Sequence, residues 1–117
     1  LQLPYEFVYI SAHGISTAHG GVDYEDIKKI KPKSYFTTIV SCGNGAFETE
    51  NYLAGWFLFG GSGLVVEGFT IPTMVISGGP MRELIPLKEG IIFGEYYLRQ
   101  STWLVNHLFG DPTLTLR

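Results

Sequence analysis

Two apolar runs frame this chain. Tyr5 to Ala12, with Glu6 as its only charge, and Tyr35-Phe36-Thr37-Thr38-Ile39-Val40 are each about the length of a strand, and neither alternates cleanly with polar residues. Unbroken apolar character over that length predicts strands covered on both faces and, from that, parallel pairing. The pattern changes after each run. Between His13 and Val22 stand Gly14, Ser16, Thr17, Gly20 and Gly21, which predict a loop. Asp23-Tyr24-Glu25-Asp26 followed by Ile27-Lys28-Lys29-Ile30 puts acids first and bases last, as a helix dipole favours, and Pro32 forbids continuation.

Beyond the second run, Leu53, Trp56 and Phe57 fall at helical spacing, so a helix is expected from Phe47 to about Phe59, with Glu48 and Glu50 favouring its start. Gly60-Gly61-Ser62-Gly63 is a turn. Leu64-Val65-Val66 predicts a short buried strand ending at Glu67-Gly68, with Phe69 to Pro72 as a loop at the same edge. Thr73 to Ser77 fits either a strand or the wall of a pocket, and Gly78-Gly79-Pro80 breaks it. Pro86 suits the first turn of a helix running to about Gln100. Trp103-Leu104-Val105 is a further short element, and Gly110-Asp111-Pro112 is a turn before a terminal edge strand, Thr113 to Leu116. Strands alternating with helices imply an α/β layer structure with a mostly parallel sheet. Three or four strands are few for such a sheet, so further strands are expected upstream of Leu1 or in another chain.

Composition narrows the reading. A length of 117 residues fits one domain, 1–117, and 45% hydrophobic against 16% charged residues is more apolar surface than a domain this size easily hides. Pairing with a second copy or with an upstream segment would cover it. A net charge of -3 argues against a nucleic-acid partner, and the cluster Lys28, Lys29, Lys31 and Lys33 reads as the solvated end of a helix. The most apolar window, Leu53 to Val66, is interrupted by Gly55, Gly60, Gly61 and Gly63, so no membrane span is expected. No glycine cluster completes a dinucleotide or phosphate-binding fingerprint, and no cofactor is expected.

Each apolar run ends at a reactive residue. The first delivers His13-Gly14 and the second Ser41-Cys42-Gly43-Asn44-Gly45, where the only cysteine of the chain stands. Parallel strands joined by right-handed crossovers emerge on one edge of a sheet, so His13 and Cys42 can face one another across a cleft. A thiol and an imidazole so placed supply a nucleophile and a proton donor, and a helix starting just after Cys42 would favour thiolate. The plainer reading is a buried structural cysteine beside an ordinary loop histidine. His13, His19 and Cys42 could also ligate zinc, but no fourth ligand at metal-site spacing is evident, so no metal is expected. His19 and His107 read as surface or loop residues.

The order of apolar strand, His13-Gly14, apolar strand, Cys42-Gly43-Asn44-Gly45-Ala46-Phe47, and then Thr102-Trp103 with Phe109-Gly110-Asp111-Pro112-Thr113-Leu114, resembles the gingipain family of caspase-like cysteine peptidases. The resemblance covers the C-terminal half of that catalytic domain. It implies a caspase-like three-layer sandwich lacking its N-terminal strands, and a Cys-His dyad hydrolysing peptide bonds in a peptide or protein substrate. Cys42 would be the nucleophile, His13 the general acid, and the N–H groups of Gly14 and Cys42 the oxyanion hole. Family members are secreted or on the cell surface, and they carry upstream the acid that supports the histidine and part of the specificity pocket. Glu67, Gly68, Phe69 and Thr70 would form one wall of that pocket, with Glu67 pairing to a basic side chain before the cut. The plainer reading, and the favoured one, is that Glu67 caps a turn or bonds backbone N–H groups. The alternative function is a catalytically inactive binding or assembly module of the same fold.

Overall fold

The first apolar run forms β1 (Tyr5–Ser11), and the glycine-rich stretch after it folds into three short strands, β2 (Gly14–Ile15), β3 (Ala18–His19) and β4 (Val22–Asp23). There follow α1 (Tyr24–Ile30), β5 (Ser34–Val40), α2 (Leu53–Phe59), β6 (Val65–Phe69), α3 (Gly79–Lys88), α4 (Phe93–Gln100) and β7 (Asn106–Gly110). They belong to a computed structural model that describes residues 3–72, 79–100 and 106–116.

Local chemistry explains α1 fully. The Asp23 side chain accepts from the Asp26 N–H at 3.0 Å while the Asp26 carboxylate accepts from the Asp23 N–H at 3.4 Å, a reciprocal cap that satisfies two orphan donors. Its other end closes at Lys31, left-handed at φ 51°, whose N–H reaches the Ile27 carbonyl. Pro32 then prevents a further turn.

The main sheet has four strands in the order β1-β5-β6-β7. β1, β5 and β6 are mutually parallel and β7 is antiparallel to β6. Alternation along β5 and β6 sends successive side chains to opposite faces. On one face Ile39 and Val66 pack with Ile27 of α1 and with Leu53, Ala54 and Phe57 of α2. On the other, Phe36 and Val65 pack with Leu87 of α3 and with Phe93 and Tyr96 of α4. The stacked rings of Phe36 and Phe93 lie 4.5 Å apart there. Helices therefore cover both faces, as the apolar runs require.

Four expectations need correction. The stretch His13 to Val22 is a three-stranded antiparallel sheet, β2-β3-β4, rather than a plain loop. The helix expected from Phe47 begins only at Leu53, because the chain before it is bound to β6: Gly45 N–H donates to Phe69 O at 2.8 Å and Gly43 N–H to Ile71 O at 3.3 Å. The single helix expected from Pro86 is two. Pro86 sits in the last turn of α3, and the N–H groups of Glu89 and Gly90 bond the carbonyls of Pro86 and Leu87, tightening the helix end before α4. The last strand is Asn106–Gly110, and Thr113 to Leu116 instead follows a turn in which Asp111 accepts from Thr113 N–H at 2.9 Å. The readings of Thr73 to Ser77 and of Thr102 to Val105 lie outside the described residues.

Candidate active site

Register sets the geometry of the site. Every paired residue of β1 faces the residue 29 positions later in β5, from Tyr5 opposite Ser34 to Ser11 opposite Val40. The ladder continues one step, with Ala12 N–H donating to Val40 O at 3.3 Å. His13 and Cys42 are separated by the same 29 positions, so the two chains leave the sheet at one level, side by side. His13 is exposed and Cys42 half-buried.

The two exits are packed into each other. A Cβ on Gly14 would lie 2.2 Å from Ser41 Oγ and 2.4 Å from Ala18 O, so only glycine allows the strand after His13 to rest against the residue before Cys42. Gly43 takes a left-handed φ of 67°, and a Cβ there would stand 3.4 Å from Ser16 N. Ser16, at the tip of the hairpin after His13, thus lies over the cysteine turn. The first turn of α2 holds both: Leu53 N–H donates to Ser16 O at 2.8 Å and Ala54 N–H to Asn44 O at 2.9 Å.

That arrangement corrects the helix argument for Cys42. The helix was expected to start beside the thiol and lend it N-terminal positive charge, but α2 begins at Leu53, has seven residues, and spends its leading N–H groups on the two loop carbonyls. Its role at this site is mechanical.

Asn44 is the residue that the sequence reading missed. Its side chain is fully buried and donates to Ile39 O at 3.0 Å and Ser41 O at 2.6 Å, while its Oδ1 accepts from Phe69 N–H at 3.2 Å. A signal was present: an asparagine between two glycines, just past a strand end, is the residue type that replaces backbone hydrogen bonds in a turn.

Compared with protein-family models, with curated proteins and with solved structures, the chain matches none.

The expected pocket residues fall differently from their sequence assignment. Glu67 and Gly68 do not end a strand: β6 continues through them to Phe69, and only Thr70 lies just past its end. Glu67, level with Thr38, is 9% exposed, accepts from Asn106 Nδ2 at 2.7 Å and from Thr38 Oγ1 at 3.4 Å, and is inside the sheet rather than at a turn. Burial pushes its carboxyl above the ordinary value, against the lowering effect of those two hydrogen bonds.

The other two histidines also belong to strands. His19 is half-buried in β3, burial lowers its pKa, and it lines an apolar cavity of about 300 Å³ with Ile10, Ala12, Ile27, Leu53 and Phe57. His107 lies in β7 with its ring 5.6 Å from that of Phe47. Among the described residues no three His, Cys, Asp or Glu side chains gather as metal ligands would, and no helix is long and apolar enough to cross a membrane.

Proposed function

We propose that this chain carries the nucleophile and general acid of a caspase-like, gingipain-type cysteine endopeptidase. The observation that supports it most is the shared register, which brings His13 and Cys42 out of neighbouring parallel strands at one level. Open α/β sheets place reacting groups at such carboxyl ends. Sheet order, the antiparallel last strand and helices on both faces fit the same reading.

In this mechanism the Cys42 thiolate attacks the carbonyl carbon of the scissile peptide bond. The negative oxygen that forms accepts hydrogen bonds from the Gly14 and Cys42 N–H groups. Collapse of the tetrahedral species breaks the C–N bond, and His13 gives its proton to the leaving amine. Water then attacks the thioester, loses a proton to His13, and releases the carboxylic acid and the thiolate. With the leading N–H groups of α2 already bonded to Ser16 O and Asn44 O, thiolate formation falls to the imidazole rather than to a helix terminus.

A preference for Arg or Lys before the cut would rest on Glu67, yet that carboxylate is already bonded to Asn106 and Thr38. The proposal therefore assigns Glu67 to holding β6 against its neighbours, and a basic preference would need charge from elsewhere. A strand from an upstream segment or a second copy beside β1, the outermost strand of the sheet among the described residues, belongs to the same proposal.

The test uses the intact protein, with any residues that precede Leu1, and a mixed peptide library. Cleavage should be abolished by Cys42→Ala and by prior alkylation, and reduced at least about 100-fold by His13→Ala. Cleavage that survives Cys42→Ala would sink the proposal. A thiol that alkylates in a protein cleaving nothing would favour the binding-module alternative.

A further inference from the structure

We infer that Asn44 is a positioning residue for Cys42, one that ties the nucleophile's turn to the end of β6 and to α2. The inference rests on the peptidase reading and adds to it a residue that touches neither substrate nor the reacting atoms.

Hydrogen-bonding valence singles out Asn44. A side-chain amide offers two N–H donors and one acceptor oxygen, and Asn44 engages all three in a site closed to water. Its amide orientation is fixed by chemistry, since a flipped group would point N–H at the N–H of Phe69 and oxygen at two carbonyls. The accepting carbonyls belong to Ile39, the next-to-last residue of β5, and to Ser41, the residue bonded to Cys42. The donor it satisfies, Phe69 N–H, closes β6. Its own carbonyl receives Ala54 N–H from α2, the helix whose neighbouring N–H holds Ser16 on the His13 side.

Close packing leaves the arrangement no slack. A Cβ on Gly68 would come within 2.5 Å of Asn44 Oδ1, and a Cβ on Gly45 within 2.7 Å of the Gly68 carbonyl carbon. Asn44 therefore fixes the height of Cys42 above the sheet and, through α2, its distance from the chain that carries His13. Misplacement of a nucleophile by about 1 Å costs on the order of 100-fold in rate.

Asn44→Asp tests this in the intact protein. The substitution keeps size and the acceptor toward Phe69 N–H, and it puts an oxygen where two carbonyls expect donors. The expected result is a fall in kcat of about 100-fold with KM changed less than about twofold. Protonation returns one donor to the new carboxyl, so the ratio of variant to parent kcat should rise as pH falls. A kcat equal to the parent's, or a loss confined to KM, overturns the inference while Cys42→Ala still decides the peptidase reading. If Asn44→Asp does not fold, the unaltered protein serves: alkylating Cys42 with iodoacetamide should shift the NMR signals of the Asn44 side-chain amide and Phe69 N–H. Unmoved signals overturn the inference whatever the enzyme assay shows.

Discussion

The two faces of the sheet are built on different terms. Beneath α1 and α2 the buried side chains are Ile27, Ile39, Leu53, Ala54, Phe57 and Val66 with the neutral Thr37 level with Val66, and half-buried His19 borders them. Beneath α3 and α4 the aromatic stack of Phe36 and Phe93 shares its face with a carboxylate, Glu67, held by Thr38 and Asn106. The apolar face also anchors α2, and α2 grips both loops of the candidate site. Position is thus held from the side without a buried carboxylate, while the other side keeps one that has to be satisfied by side chains.

Truncation gives the largest expected effect and bears directly on that division. Phe57 is 1% exposed and Phe93 3%, so Phe57→Ala and Phe93→Ala should each cost about 3–5 kcal/mol in urea denaturation. Only Phe57→Ala should speed amide exchange in the cysteine turn, at Gly43 and Gly45, under conditions where the variants remain folded. Equal acceleration by both substitutions would mean that the faces do not act separately.

A smaller effect separates the faces by pH. Because burial raises the Glu67 carboxyl above its unfolded value, its contribution to stability is complete below the ordinary carboxylate pKa and is lost as pH rises through the raised one. Glu67→Gln should remove that decline and stabilise the protein by about 1–3 kcal/mol at pH 8. Denaturant midpoints followed from pH 4 to pH 8 would show it. Because burial lowers the His19 pKa and so acts in the opposite sense, the decisive quantity is the difference from Glu67→Gln: a difference that does not change with pH would return Glu67 to the ordinary class of paired carboxylates.

The smallest expected change concerns the cap of α1. Asp23→Ala removes the side-chain acceptor for Asp26 N–H and should cost about 1 kcal/mol, read as a lower thermal midpoint. Combined with Glu67→Gln the two effects should add, since the residues sit on opposite sides of the sheet without a shared partner. Departure from additivity would show the faces to be coupled.

Much of this arrangement was legible beforehand where one local rule decided the outcome. β1, β5 and α1 follow from unbroken apolar runs, a capping acid and Pro32. Elsewhere tertiary bonds overrode local preference. Phe47, Glu48 and Glu50 look like a helix start, but the backbone at Gly43 and Gly45 is bonded to the end of β6, and α2 waits until Leu53. Thr113-Leu114-Thr115-Leu116 alternates like a strand. In place it packs Leu114 and Leu116 against the aromatic cluster and offers the carbonyls of Pro112 and Leu114 to Gly94 and Phe93 at the start of α4. A period of two reports which side chains are buried, not which backbone they pair with. At the candidate site, spacing alone gave the His13 and Cys42 exits. Glu67 stands two residues short of the end of β6, not at it, because a lone carboxylate in an apolar run reads as a strand's end until its partners, Thr38 and Asn106, are known.

The two-turn length of α2 has a dynamic consequence. Its N-cap residue, Tyr52, makes no side-chain capping bond, so the helix start is held by Ser16 and Asn44 as much as it holds them. Opening of this one short element would release the hairpin after His13 and the turn after Cys42 in a single event, making them one cooperative unit of local unfolding. Exchange at Leu53 and Ala54 should then report a common opening free energy, lower than that of Ile39 or Val66. Two distinct values would show that the loops come free one at a time.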